Sequence, residues 1–247
     1  MSEALGGRTA LVTGAARGIG LAIARALVRC GANVALVDQD PAALEEATCL
    51  VDRDALPIEA DISRPDDVHR AVDSTLERFG GLEILVNNAG ICPLTSPGEI
   101  TEAEWDRVLA VNLKGTFLCI QAALPALQAT GWGRVINIGS LAGQMGGIAV
   151  GVHYAASKAG ILGLTKSFAR HLAPHGVTVN AIAPGTAETD LTAAWPESIR
   201  QDLKTKIPLG RFIRPDEVAE TVAFLCSTAA DAITGATIDL NAGLFMR

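Results

Sequence analysis

The chain is short of charge, of aromatic rings and of any basic excess. Charged residues make up 19% of its 247 positions and aromatic residues 4%, while 49% are hydrophobic and 25 are glycine. The charged share of an average soluble domain is about 25%, and a composition this apolar is not that of a disordered chain. Acidic residues outnumber basic ones by 27 to 20. The basic face that a nucleic acid requires is therefore not expected, nor does a polybasic run suggest an anionic lipid surface. The mean hydropathy of +0.31 raises the question of a membrane span, but no run of roughly 18 nearly uncharged apolar residues is expected. Arg25 breaks the apolar stretch 21–27, and Asn137 breaks 135–138. Glu3 stands where a leader would carry positive charge, and a strand pattern follows at once, so a cytoplasmic protein without a cleavable signal is expected. The five cysteines, Cys30, Cys49, Cys92, Cys119 and Cys226, are scattered and include no CxxC pair. They suggest neither a disulfide framework nor a metal site and read as small buried hydrophobes.

What is present is an alternation of strand-length apolar runs with longer helical patterns. Strands are expected at 9–13, 33–37, 56–60, 82–86, 134–138, 177–183 and 236–240. Helices are expected at 17–30, from Pro41, at 65–79 with Ser63 as cap, at 101–112 with a Thr101/Glu104 capping box, at 113–130, at 154–172 and at 215–225. Repeated strand–helix–strand units imply one α/β domain over residues 1–247. Its architecture is a doubly wound, mainly parallel sheet with helices on both faces, binding ligands at the C-terminal edge of the strands. Residues 186–209 are the least regular and read as a loop with a short helix.

A glycine-rich turn follows the first strand, with Gly14, Gly18 and Gly20 spaced GxxxGxG and Arg17 and Ile19 between them. In that context Gly14 permits a tight turn, Gly18 lets backbone approach a pyrophosphate at a helix N-terminus, and Gly20 lets helix and strand pack closely. Asp38 ends the second strand at the place from which a carboxylate binds the adenosine ribose hydroxyls and repels a 2'-phosphate. Arg17 could instead meet such a phosphate. Repulsion from Asp38 favours NAD over NADP.

With Tyr154-Ala155-Ala156-Ser157-Lys158 added, the chain resembles the short-chain dehydrogenase/reductases over essentially its whole length. The resemblance rests on the TGxxxGxG turn, Asn87-Asn88-Ala89-Gly90, Asn112, Ser140, the Tyr154/Lys158 pair and Pro184-Gly185, all in family order. It implies a seven-stranded Rossmann sheet and catalytic roles for Asn112, Ser140, Tyr154 and Lys158, with Asn112 holding a water that links Lys158 to solvent. It further implies that Asp61 and Ile62 contact adenine, that Asn88, Ala89 and Gly90 support the adenosine side, and that Pro184, Gly185 and Thr189 hold the nicotinamide end. A homotetramer is implied as well. Asn241-Ala242-Gly243 departs from the family, in which a second glycine is common.

Ketone reduction needs a hydride at carbon and a proton at oxygen, the first from a nicotinamide and the second from the protein. Tyr154 is the one tyrosine in the chain. Lys158, four residues on, shares its helix face and is expected to lower the phenol's pKa from about 10. Ser140 would orient the substrate oxygen. Substrate choice is expected from 92–95, 141–153 and 186–209, which contain Cys92, Leu94, Gln144, Met145, Ile148, Val150, Val152, Leu191 and Trp195. Of these, Gln144 and Trp195 join Ser140 and Tyr154 as substrate contacts, and His153 reads as non-catalytic. The expected activity is an NAD(H)-dependent conversion of a secondary alcohol, of alcohol, polyol or sugar type, to its ketone. The alternatives are a 3-oxoacyl-[acyl-carrier-protein] reductase using NADPH and a silent dinucleotide sensor.

Overall fold

All seven expected strands form, and every pairing is parallel, in the order β3-β2-β1-β4-β5-β6-β7. They are β1 (Thr9–Thr13), β2 (Asn33–Asp38), β3 (Leu56–Glu59), β4 (Ile84–Asn87), β5 (Gly133–Ile138), β6 (Val177–Pro184) and β7 (Thr237–Leu240). The computed structural model describes residues 4–51, 55–147 and 150–246, apart from the side chain of Leu191. Ile148, expected on the substrate side, and Glu3 therefore lie outside the described residues.

Side-chain alternation along the strands builds two cores, one on each face. Val12, Val34, Leu36, Val86 and Ile136 pack on one face with Ile23 and Leu27 of α1 (Gly18–Arg29) and Val218 and Val222 of α10 (Pro215–Cys226). Leu11, Val37, Leu85 and Val135 point the other way, toward Val68 and Val72 of α3 (Pro65–Phe79) and Ile120 and Leu127 of α5 (Gly115–Ala129). A one-residue slip in any central strand would exchange these two sets.

The remaining helices are α2 (Pro41–Leu50), α4 (Glu102–Leu109), α6 (Ala142–Met145), α7 (Val152–Leu172), α8 (Asp190–Ala193) and α9 (Glu197–Lys206). The least regular segment thus carries two helices where one short helix is expected. The expected pair 101–112 and 113–130 is one continuous run, in which a π turn (Ala110–Lys114) joins α4 to α5. By length and composition alone this run, Glu102–Ala129, could cross a membrane, contrary to the expectation that no stretch qualifies. Half of its most apolar window is buried inside the protein, where Ile120, Ala123 and Leu127 join the second core. Two caps also differ from expectation. Ser63 does not cap α3, because its N–H and hydroxyl both donate to Asp61 Oδ1, at 2.9 and 2.7 Å. Thr101 accepts from the Glu104 N–H at 3.2 Å, but the Glu104 carboxylate leaves the capping box for His153 Nε2, 2.8 Å away.

The sheet order reverses at β1, which has β2 on one side and β4 on the other. Such a switch point opens a crevice beyond the strand C-termini. Asp38, Asn88, Ser140 and Pro184 stand at or just beyond the ends of β2, β4, β5 and β6, so the topology gathers them along that edge.

Candidate active site

The glycine turn is locked by its neighbours. Gly14 has a left-handed φ of +63°, which a residue with a side chain adopts only at a cost. A Cβ on Gly20 would stand 1.9 Å from the Gly14 carbonyl oxygen, so only glycine lets α1 start so close to the turn. Asn88 closes the arrangement from β4. Its Nδ2 donates to the carbonyls of Thr13 and Gly14 at 3.0 and 2.9 Å, and the Thr13 hydroxyl accepts from the N–H groups of Asn88 and Ala89 at 3.0 and 3.1 Å.

Asp38 faces this turn. Its carboxylate accepts from the Ala16 N–H at 3.3 Å and from the Asp40 N–H at 3.2 Å. Arg17 is ion-paired with Asp40, and Asp40 also caps α2 by accepting from the Ala43 N–H at 3.1 Å. The Ala43 N–H, followed by Arg17, holds the exposed Asp40 carboxyl below the usual range. Gly14, Asp38, Asp61, Ile62, Ala89 and Gly90 line one recess of about 100 Å³. Burial works against the charge of Asp61, but the bonds from Ser63 and Arg107 override it and lower its pKa.

A second cavity of about 310 Å³ shares Gly90 with the first. Ile19, Asn88, Pro184, Gly185 and Thr189 line it. Ser140, Tyr154 and Lys158 line it as well, together with Trp195. Gly18 lines neither recess, but a Cβ there would lie 3.7 Å from the Thr189 methyl. The structure thus brings most of the sequence-predicted residues to one edge, although Arg17, Gly20 and Asn112 line neither recess. Gln144 of α6 turns away, donating from Nε2 to Asp239 Oδ1 on β7 at 2.6 Å. This corrects its assignment as a substrate contact: a carboxylate 95 positions away in sequence captures the amide.

Tyr154 and Lys158 share one side of α7, with the Lys158 ammonium 5.7 Å from the phenol ring centroid. The ammonium is buried and donates to the Ile138 carbonyl at the end of β5, at 2.8 Å. Burial lowers the Lys158 pKa to about 8. Burial also pushes the Tyr154 phenol up to about 12, with the Cys92 thiol adding to the rise and a hydrogen bond with Ser140 opposing it. The expected lowering of the phenol is therefore not met. Desolvation, which penalises the phenolate, outweighs a lysine that is engaged with a backbone carbonyl. The Ser140 hydroxyl also accepts from the Ala142 N–H at 3.1 Å, which fixes it against α6.

Asn112 lies in the π turn, fully buried. Its Oδ1 accepts from the Ile91 N–H at 2.8 Å, and its Nδ2 donates to the Ile91 carbonyl at 3.0 Å and the Ser157 hydroxyl at 3.1 Å. The amide clamps the loop after β4 against α7. His153 is buried and turned to Glu104, away from the cavity. Cysteine behaves less uniformly than expected: Cys119 and Cys226 are buried, Cys49 is exposed, and Cys92 lines the larger cavity. Leu244 and the Ile138 carbonyl join the site without a sequence signal, and Leu203 enters only as part of the 186–209 segment expected to govern substrate choice. The two leucines carry no motif, and a backbone acceptor leaves no sequence signal.

A family model described as Enoyl-(Acyl carrier protein) reductase matches residues 14–245. The chain is 42% identical over 245 residues to the 3-oxoacyl-[acyl-carrier-protein] reductase FabG of Staphylococcus aureus, covering 97% of this chain and 98% of that protein. It is 42% identical over 249 residues to the FabG of Aquifex aeolicus, covering 99% and 100%. Among solved structures it resembles a Short-chain dehydrogenase/reductase SDR:Glucose/ribitol dehydrogenase from Brucella melitensis, with a TM-score of 0.93, 36% identity and 100% coverage of both chains.

Proposed function

The chain belongs to the short-chain dehydrogenase/reductase family of oxidoreductases, and from that premise we propose that it interconverts a secondary alcohol and its ketone with NAD(H), the ketone being of the 3-oxoacyl thioester type. The observation that carries this reading is the larger cavity, where Ser140 and Tyr154 share a wall with apolar side chains such as Leu94, Met145 and Trp195. Such a lining suits a carbonyl on an aliphatic chain better than a polyanion. The names of the similar proteins point to the same substrate class.

The residues present fit a dinucleotide. Gly14 and Gly20 pack the turn against Asn88 and Ala89, so that α1 begins directly beside it, where a pyrophosphate would meet the helix N-terminus. Asp38 would take the adenosine ribose, Asp61 and Ile62 the adenine, and Asn88, Ala89 and Gly90 the adjoining wall, with Pro184, Gly185 and Thr189 at the nicotinamide end. When bound, the nicotinamide supplies or accepts the hydride. Tyr154, its phenol pushed up to about 12, holds its proton at neutral pH and delivers it to the ketone oxygen. Ser140 donates to the same oxygen and orients it. Lys158 keeps a positive charge beside the phenol and toward the nicotinamide ribose. Asn112 acts by holding the Ile91 loop and Ser157 in register. Asp38, which lines the smaller recess, and the engagement of Arg17 by Asp40 support NAD(H) over NADP(H).

The test is dinucleotide oxidation, followed by absorbance, with acetoacetyl thioesters and simple ketones. NADH consumption with a kcat/KM at least tenfold above that of NADPH is expected. No consumption with any ketone sinks the reading. A polyol substrate is the second reading, favoured by the likeness to the Glucose/ribitol dehydrogenase structure from Brucella melitensis. Faster NAD reduction with ribitol than with any 3-hydroxyacyl thioester would establish it. An apolar groove along α4, α5 and α7, lined by Leu109, Leu113, Phe117, Gly160 and Leu164, supports assembly into the expected homotetramer, which light scattering checks.

A further inference from the structure

The turn after β7 is built around the departure noted in the sequence. Ala242 has a left-handed φ of +55° and is the one non-glycine residue among those described to do so. That conformation costs an L-residue about 1–2 kcal/mol and persists only where the surroundings over-determine it. They do so here. The buried Asn241 accepts at Oδ1 from the N–H groups of Gly243 and Phe245, at 3.0 and 3.3 Å, and donates from Nδ2 to the Phe245 carbonyl at 3.1 Å. The Leu244 N–H donates to the Asn241 carbonyl at 3.1 Å.

The turn is also tied to the end of the 186–209 segment. The Leu209 N–H donates to the Ala242 carbonyl at 3.2 Å, and Gly243 lies so close to Pro208 that a Cβ would come within 3.1 Å of its ring. The outcome is that Leu244 lines the same cavity as Ser140 and Tyr154, facing a space also bordered by Trp195 and Leu203. The most C-terminal side chain of the cavity is thus held by a rigid turn rather than by a frayed tail.

We propose that the Asn241–Phe245 turn is a specificity element, in which Leu244 closes the apolar part of the cavity and limits the length of the carbon chain that the substrate carries. The ligand class is a straight-chain acyl or alkyl group attached to the reacting carbonyl. Asn241 is a positioning residue, acting through the placement of Leu244. This inference rests on the reading of the cavity as a ketone site.

The experiment compares wild type, Leu244→Ala and Asn241→Ala. Each is assayed for NADH oxidation with N-acetylcysteamine thioesters of four-carbon and eight-carbon 3-oxo acids. Binding of the matching saturated butyryl and octanoyl thioesters, which cannot be reduced, is followed by tryptophan fluorescence. Leu244→Ala should raise the eight-carbon to four-carbon ratio of kcat/KM, and of binding constants, by roughly tenfold. Asn241→Ala, which loosens the turn without opening volume at position 244, should move the ratio the same way by a smaller factor, mainly through KM. Ratios within twofold of wild type in both folded variants overturn the proposal. A wild type that discriminates by length in binding but turns over no ketone sinks the proposed reaction while supporting the length limit.

Discussion

Arg17, the residue before α1, is ion-paired with Asp40, the residue before α2. The cation most able to meet a 2'-phosphate is therefore engaged by a carboxylate two positions beyond Asp38. Asparagine caps helices nearly as well as aspartate, so Asp40→Asn removes the charge while leaving α2 capped. The expected result is a threefold to tenfold lower KM for NADPH with little change for NADH. An unchanged NADPH KM would show that Asp38 alone governs the choice.

Tyr154→Phe retains the ring and loses the proton donor. Turnover should fall by about 10²–10⁴-fold, the usual range for a lost acid–base group. The dissociation constant for NADH should remain within a few-fold, as read by quenching or energy transfer from protein fluorescence. Unaltered kcat in this variant rules out the proposed proton path.

Lys158 loses its charge as pH rises through about 8, well below the ordinary lysine range. If ketone reduction needs that charge, kcat/KM is level below neutrality and declines above pH 8, while the phenol, at about 12, stays protonated throughout. The stability consequence has the opposite sign. Between the folded and unfolded lysine values the unfolded chain binds more protons, so the destabilisation caused by burying the ammonium is relieved as pH rises through that window. Lys158→Arg should move the activity decline to higher pH, because a guanidinium stays charged. A profile with the same midpoint in both proteins would assign the titration elsewhere.

Gly20→Ala places a methyl 1.9 Å from a backbone oxygen, which no rotamer change can relieve. The turn must shift, at a cost of about 1–3 kcal/mol in stability, and NADH affinity should drop at least tenfold. Thermal melting with and without NADH checks both effects, and a variant that still gains the wild-type melting shift on NADH addition would contradict the role given to the turn.

Much of this arrangement is local in sequence and was legible there. Strands such as TALVT and RVINI are β-branched runs bounded by turn residues, and the glycine turn, Asp38, Ser140 and the Tyr154/Lys158 pair all follow strand ends or share a helix face. What residue spacing does not carry is non-local or depends on environment. The π turn at Ala110–Lys114 has the composition of an ordinary helix. Gln144 sits where a substrate contact is expected, yet it bonds to Asp239, brought alongside only by the completed sheet. The direction of the Tyr154 shift turns on burial, which residue spacing does not report.

The placement of Leu244 bears on how the protein is handled. Any segment fused directly after position 247 would start only a few positions from a side chain in the cavity wall. It would pull on a turn held by Asn241 and strained at Ala242. Kinetic constants measured on preparations fused at that position would describe an altered cavity wall.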